Sequence, residues 1–530
     1  MRMNKSNLKC HLCFIGLLIF QVILMYGKCA GMGESIGGDE FFSYGLANNT
    51  DEYIFWDLNH IALEADENGF FNGTDLQEYL QVEKGEEFSF DRVFWNQAMD
   101  VHPPLYYLVL NSVSSLFTGR FSVWYGRGIN IVIFILTEII LYLTGLKLVN
   151  SHAALLPCVI WGFSSAAQML TGYIRMYALL SLFCIMFFYC HVRLIMNEKH
   201  GKKNFFLLIF TVVCGGLTHY YFYVYMVCLS GCYLLYNLFV LRRRKGLLKY
   251  ICVCGLGGII NLCIFPAAIR HVLFSYRGEE VRDNLTNNTW LALDYVKGLV
   301  KAIFGEQLII FIVIAVLVCA IGIWKIYKRD SDFKISQYVG NVDVMIALLN
   351  LFSMLLYTVI IMKTSIYVAW YYISPIYTVL CLEIMYVLVK ISMYIHRKFG
   401  LVVCIVLALI FSVSVPDRVM RLYELLVNNE DAVMNEKYSY QGNDCVFLYR
   451  TWDNLFGGKL VELCEYDEIC CINIENLNSI NLAQIISNRN TMDTLVVYVP
   501  SGEIVSDIVP ENLRLEKVEE GTRYDIYKMK

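Results

Sequence analysis

The sequence predicts a mainly α-helical, polytopic membrane protein of about 11 transmembrane helices, with a large first outer loop and a small C-terminal α/β domain. Three observations carry that reading. The 530 residues are 57% hydrophobic and only 17% charged, against about 45–50% and about 25% in an ordinary soluble chain. The apolar excess falls in runs of about 20 residues, the length that crosses a bilayer core. The basic residues collect in short segments between those runs. The formal net charge of −4 gives no sign of a nucleic-acid partner.

The first apolar run covers about residues 10–30 and follows Arg2, Lys5 and Lys9. Its length, and the poor cleavage site Lys28-Cys29-Ala30-Gly31, favour a retained anchor over a cleaved signal. The flanking positive charge puts the N-terminus in the cytoplasm. About 70 polar residues follow, Gly31 to Val101, holding the adjacent pair Asp39-Glu40 and many aromatics. Within them Thr50–Asp66 and Thr74–Gln81 read as short amphipathic helices on the membrane surface. The outer loop as a whole runs to about residue 122.

Pro104–Phe117 is apolar but short for a crossing, and the charge pattern decides its placement. If it does not span, Lys147, Lys202, Arg242 to Lys245, Lys325 to Arg329 and Lys390 to Lys398 all face inward, as basic residues between spans do. The later spans are then roughly 123–148, 151–169, 172–195, 205–219, 221–241, 248–269, 307–326, 342–361, 368–390 and 399–415. Gly215-Gly216 and Thr218-His219-Tyr220-Tyr221 mark an outer turn between two of them. The long first loop, the loop from Arg270 to about Gln307 and the tail all lie outside, so the chemistry is expected there.

The tail differs in kind. Asp444–Tyr449, Glu468–Ile474, Leu495–Val499 and Tyr524–Met529 alternate like strands, and Asn478–Ser487 reads as a helix. Residues 417–530 therefore form a small extracytoplasmic α/β domain behind a transmembrane module of residues 1–416. Docking, acceptor binding and a structural cap all remain open for it. Most of the 19 cysteines lie in apolar runs, where they act as small apolar fillers. The spacing fits neither a zinc site nor a disulfide framework.

Four motifs in chain order then resemble the GT-C membrane glycosyltransferases. They are Gly38-Asp39-Glu40, Asp100-Val101-His102-Pro103-Pro104-Leu105, Gly172-Tyr173-Ile174-Arg175-Met176-Tyr177 and Thr218-His219-Tyr220. The pattern looks most like the family 39-like branch, which includes the protein O-mannosyltransferases and the lipid A aminoarabinose transferase. Where such proteins often carry an Arg-Tyr pair before a late span, this chain reads Trp370-Tyr371-Tyr372-Ile373-Ser374-Pro375. The resemblance implies inverting transfer of one sugar from a polyprenyl-phosphate donor to an extracytoplasmic protein, lipid or cell-envelope glycan. Some relatives use a divalent ion; no metal-ligand cluster stands out in this sequence, so no cofactor is assigned.

Such a transfer needs a carboxylate to take the acceptor's proton and cationic or hydrogen-bonding groups to stabilise the leaving phosphate. The resemblance gives the base role to Asp39, with Glu40 beside it in the catalytic pair to orient or bind; solvated loop charges are the bland alternative. Asp100 and His102, held by two prolines, are candidates for substrate binding, or Asp100 is a helix cap. Arg175 and Tyr177 are candidates for phosphate or site contact, or an interfacial arginine in an aromatic belt. His219 and Tyr220 in the outer turn can line a donor pocket. Arg270, at the end of a span, is a further phosphate candidate. The rival classes are a transporter or flippase, which would show repeats and broken mid-membrane helices, and a noncatalytic envelope-assembly protein.

Overall fold

A computed structural model describes residues 5–33, 36–50, 69–149, 152–196, 202–242, 244–286, 292–329, 341–365, 368–413, 415–416, 420, 443–450, 460–474, 495–503, 515–519 and 524–529. The chain divides into two compact units. The first comprises Met1–Gly31, Gln97–Tyr106 and Arg127–Tyr423; the second comprises Met32–Asn96, Tyr107–Gly126 and Glu424–Lys530. The expected helices at Thr50–Asp66 and Asn478–Ser487 lie outside the described residues.

The first unit is helical. Among the described residues eight helices are long and apolar enough to cross a membrane: Leu8–Ala30, Val123–Leu148, Tyr177–Ile195, Tyr221–Val240, Leu247–Ile264, Asp294–Trp324, Val344–Thr364 and Trp370–Ile395. The expected span at 151–169 is a broken one, Ala153–Gly162 and Ser165–Gly172, bent by 56°. The break follows from Ser164, whose hydroxyl accepts the Ala167 N–H at 3.1 Å and so starts a new helix inside an apolar run. The remaining two expected spans are the shorter helices Lys202–Thr218 and Lys398–Phe411. The chain is thus a multi-pass membrane protein.

Apolar surface sorts these helices. Tyr177–Ile195 is apolar all round, which marks a helix enclosed by others. It is buried along nearly its whole length, packed against Lys202–Thr218 and Ser374–Ile395. Leu308–Arg329 is just as apolar, yet Ile309, Ile310, Val316 and Ile323 lie exposed. An apolar face of that extent is foreign to a soluble monomer and suits lipid. Leu105–Ser114 is a 10-residue helix, about 15 Å long at 1.5 Å per residue, too short for a core of about 30 Å.

The second unit is built on a six-stranded sheet in the order β1-β3-β2-β4-β6-β5. Its strands are β1 (Phe71–Asn72), β2 (Cys445–Tyr449), β3 (Glu468–Asn473), β4 (Val496–Pro500), β5 (Leu515–Glu519) and β6 (Tyr524–Met529). The inner pairs β2–β3 and β2–β4 are parallel, and the outer pairs are antiparallel. The central strands read Cys-Val-Phe-Leu-Tyr and Val-Val-Tyr-Val-Pro, near-continuous apolar runs, because both faces are covered. Val446, Leu448, Ile472, Val497 and Val499 pack on one face with Phe70. Phe447, Tyr498 and Tyr524 cluster on the other.

Four of the tail strands fall within a residue of where the alternation predicts them, and β5 (Leu515–Glu519) is an addition. β1 does not come from the tail at all. It lies in the long loop after the first span and pairs antiparallel with β3, Phe71 opposite Ile469. The helix that follows, Gly73–Leu80, packs on Leu460–Leu463 of the tail and on Gly38–Asn48 of the loop. Two glycines permit this approach. A Cβ on Gly73 would sit 2.0 Å from the Tyr466 carbonyl oxygen, and one on Gly45 would sit 1.9 Å from the Tyr79 ring. The first loop and the tail therefore fold as one body.

Candidate functional site

The four motifs divide between the two units, with Asp39 and Glu40 in the second. Helix Gly38–Asn48 begins at Gly37, whose carbonyl takes the Glu40 and Phe41 N–H groups at 3.0 and 2.9 Å. The Glu40 carboxylate turns back to accept the Gly37 N–H at 2.8 Å, closing the first turn. Glu40 is buried, so its observed contact is a helix-capping one. Asp39 is exposed one residue earlier, in the first turn, where the helix dipole favours a negative charge. Its backbone carbonyl accepts the Ser43 hydroxyl at 2.9 Å. The Phe41 ring stacks on Tyr79 at 5.1 Å, which ties this helix to Gly73–Leu80 and so to the sheet.

The first unit brings together Asp100, His102, Arg175, Tyr177, His219, Tyr220 and Arg270. The segment between helices Phe90–Met99 and Leu105–Ser114 runs through Pro103-Pro104, which fix φ and extend the residue before them. There the Asp100 carboxylate accepts the His102 Nδ1–H at 2.6 Å. It does not cap the following helix. Burial pushes Asp100 up, but the His102 ring and the Arg175 guanidinium outweigh it and hold the carboxyl below its usual range.

Arg175 lies in the turn between Ser165–Gly172 and Tyr177–Ile195 and is nearly fully buried. Asn130, on span Val123–Leu148, holds that turn in place. Its Nδ2 donates to the Tyr173 carbonyl at 2.7 Å, and its Oδ1 accepts the Tyr106 hydroxyl at 3.3 Å. One buried amide thus ties the segment carrying His102 to the turn carrying Arg175.

His219 lies in the turn before Tyr221–Leu235, its ring centroid 5.9 Å from His102 and 5.5 Å from Tyr177. Its Nδ1 accepts the Tyr221 N–H at 3.0 Å. Burial, with His102 and Arg175 nearby, pushes His219 well below the ordinary histidine value. The ring is therefore neutral at pH 7 and presents Nε2–H. The Tyr220 hydroxyl donates to His271 Nδ1 at 2.7 Å, and His271 Nε2–H donates to the Ala98 carbonyl at 3.0 Å. Burial pushes His271 down, in keeping with that neutral form. Arg270, exposed, donates to the same Ala98 carbonyl.

Aromatic rings complete the cluster. Tyr177 stacks on Tyr371 at 4.5 Å, and Tyr173 lies 5.6 Å from Tyr371. Trp370 and Tyr372 adjoin them. Helix Ala292–Phe304 packs against Trp370–Ile373 and Ser165–Gly172. The late segment without an arginine therefore contributes aromatic faces. Asn130, Tyr106, His271 and Tyr371 escape motif reasoning; the one signal was an amide inside an otherwise apolar span, which demands a partner.

One buried carboxylate among histidines and arginines, beside stacked tyrosines, suits an anionic group joined to a sugar or lipid. Among the described residues no three His, Cys, Asp or Glu side chains converge as a metal site. No disulfide forms among the described residues.

No family model matches this chain, and no curated protein matches it. Solved structures do. ArnT from Cupriavidus metallidurans bound to undecaprenyl phosphate is similar over 97% of both chains, with 10% sequence identity and a TM-score of 0.50. The same protein in its apo state is similar over 99% of this chain and 98% of that one, again with 10% identity and a TM-score of 0.50. The chain shares that overall fold, largely helical with a small C-terminal sheet region.

Proposed function

We propose that this chain is an integral membrane glycosyltransferase that moves one sugar, with inversion, from a polyprenyl-phosphate carrier to an extracytoplasmic acceptor. The observation that carries the reading is the first unit's cluster. Arg175, His102, His219 and Arg270 gather around the single buried carboxylate of Asp100, with the Tyr173–Tyr177–Tyr371 stack beside them. Guanidinium and imidazole donors stabilise a leaving phosphate, and exposed apolar helices nearby suit a long lipid tail. The likeness to an ArnT bound to undecaprenyl phosphate supports the same donor class.

In this reading Asp39 takes the acceptor's proton, and Glu40 holds the turn on which Asp39 sits. Arg175, with His102 and Arg270, binds the carrier phosphate. Asp100 orients His102, and Tyr177, His219 and Tyr220 line the donor site. The acceptor is a protein, lipid or envelope glycan. The N-terminus is cytoplasmic, and the site and the tail face outward, because that arrangement turns the basic loops inward. Undecaprenyl phosphate should raise the thermal stability of the purified protein in detergent. Arg175→Ala should abolish that shift, and an equal shift in the variant would contradict the assignment of Arg175.

A further inference from the structure

We propose that His102 is the general acid of the transfer, handing its Nε2 proton to the departing carrier phosphate, with Asp100 as its positioning residue. This rests on the polyprenyl-phosphate reading above and adds a step to it.

The argument begins with charge. A sugar linked through a phosphodiester carries one negative charge at the phosphate. When the bond from C1 to the phosphate oxygen breaks, its electron pair goes to that oxygen and the phosphate monoester gains a second charge. Fixed cations such as Arg175 stabilise the first charge and the second alike. A proton donor acts on the increment, which exists only as the bond breaks, and such differential stabilisation accelerates the step.

His102 has the geometry for it. Its Nδ1–H is committed to Asp100 at 2.6 Å, so the imidazolium has Nε2–H to offer elsewhere. Asp100 is sealed, with a side chain 4% exposed, while His102 is 19% exposed. The pair is thus a buried anchor and a reachable ring. The other titratable and charged groups facing it differ in kind. Arg175 keeps its proton throughout. His219 is neutral and holds its Nδ1 toward the Tyr221 N–H. Tyr220 and His271 are engaged with each other, and His271 and Arg270 also donate to Ala98. Pro103 restricts the backbone of His102, so the ring is aimed before substrate arrives.

The step balances. The acceptor oxygen bonds to C1 and its proton passes to the carboxylate base. C1 releases the phosphate oxygen, which takes the proton from His102 Nε2. His102 is left neutral, still donating Nδ1–H to Asp100. Exchange with water returns the base's proton to solvent and reprotonates His102. No oxidant, reductant or further reactant enters.

The test is the pH dependence of kcat for the full-length enzyme in detergent with a defined polyprenyl-phosphate sugar. It is run beside a donor whose phosphate carries a non-bridging sulfur and leaves as a weaker base. The unmutated enzyme should lose kcat as pH rises, and the phosphorothioate donor should flatten that loss. His102→Gln keeps a hydrogen-bond donor but cannot titrate. It should lower kcat with the phosphate donor about 100-fold or more, the usual worth of a general acid, lose less with the phosphorothioate, and show no high-pH decline. Asp100→Asn should lower kcat with little change in KM, and Asp100→Glu should restore part of it. A His102→Gln enzyme with the unmutated rate and profile would overturn the proposal. So would an equal loss on both donors, which describes a binding residue. If His102→Gln does not fold, the two-donor comparison on the unmutated enzyme still decides, because identical profiles would sink the acid. Absence of transfer by the unmutated enzyme from any polyprenyl-phosphate sugar would instead defeat the underlying reading, and the proposal with it.

Discussion

Replacing Asn130 tests how the site is assembled. Its amide joins two chain segments through the Tyr173 carbonyl at 2.7 Å and the Tyr106 hydroxyl at 3.3 Å. Both Asn130 and Tyr106 are fully buried. Losing the donor to a partly buried carbonyl costs about 1–3 kcal/mol, and the longer bond adds roughly 0.5–1 kcal/mol. Asn130→Ala should therefore destabilise the first unit by about 1.5–4 kcal/mol. It should also lower kcat by about 100-fold, the order expected when reacting groups shift by 1 Å. Asn130→Asp keeps the acceptor for Tyr106 but faces the Tyr173 carbonyl with another acceptor, so it should be no better than alanine. Denaturation in detergent gives the stability, and transfer kinetics give kcat. In a double-mutant cycle, Asn130→Ala and Tyr106→Phe should couple by at least about 0.5 kcal/mol. An Asn130→Ala protein with unmutated stability and kcat would refute the reasoning.

Three further outcomes follow from the same structure. Gly73→Ala places a Cβ against the immovable Tyr466 carbonyl, so it should cost about 1–3 kcal/mol and loosen the loop that carries Asp39. Proteolysis should cut that loop faster, while Gly298→Ala, with open space around it, should change nothing. Stability should also fall on acidification. His219 and His271 are held neutral by burial, so below about pH 6.5 the unfolded chain takes up protons that the folded one refuses. His219 should cost up to about 1.4 kcal/mol per pH unit and His271 less, and His219→Gln should flatten the slope. The depressed Asp100 works at lower pH: its contribution is complete above about pH 4 and fades only as pH falls through its lower folded value. Arg175→Lys should bind donor more weakly than the unmutated enzyme, because an ammonium lacks the planar fork; equal KM values would speak against a forked phosphate contact.

The crossings were legible because lipid leaves so few choices: about 20 apolar residues must be helical and must span. The central tail strands were legible because a sheet covered on both faces needs uninterrupted apolar runs, whereas Leu515–Glu519 reads Leu-Glu-Lys-Val-Glu and carries no such run. What escaped was tertiary. The strand at Phe71–Asn72 is two residues long and has no period to detect; it exists because β3 offers an edge. The break at Ser164 was hidden because one hydroxyl in an apolar run looks like filler until it caps a helix. The candidate cluster was partly legible, since Asp100, His102, Arg175 and His219 come from motifs. Asn130 and Tyr371 were not, because an amide or a ring in a span has no motif and gains meaning only from its neighbours. Glu40 shows the opposite case: its carboxylate closes a helix turn, a local role that adjacency to Asp39 conceals.

The central claim is that a carboxylate outside the first anchor takes the acceptor's proton while a lipid phosphate departs. The most direct measurement is single-turnover transfer from a radiolabelled polyprenyl-phosphate sugar by purified protein, with Asp39→Asn compared against the unmutated enzyme. The account predicts transfer with inverted anomeric configuration by the unmutated enzyme, and a loss of about 100-fold or more in the variant with donor binding retained. Undiminished transfer by Asp39→Asn would contradict it.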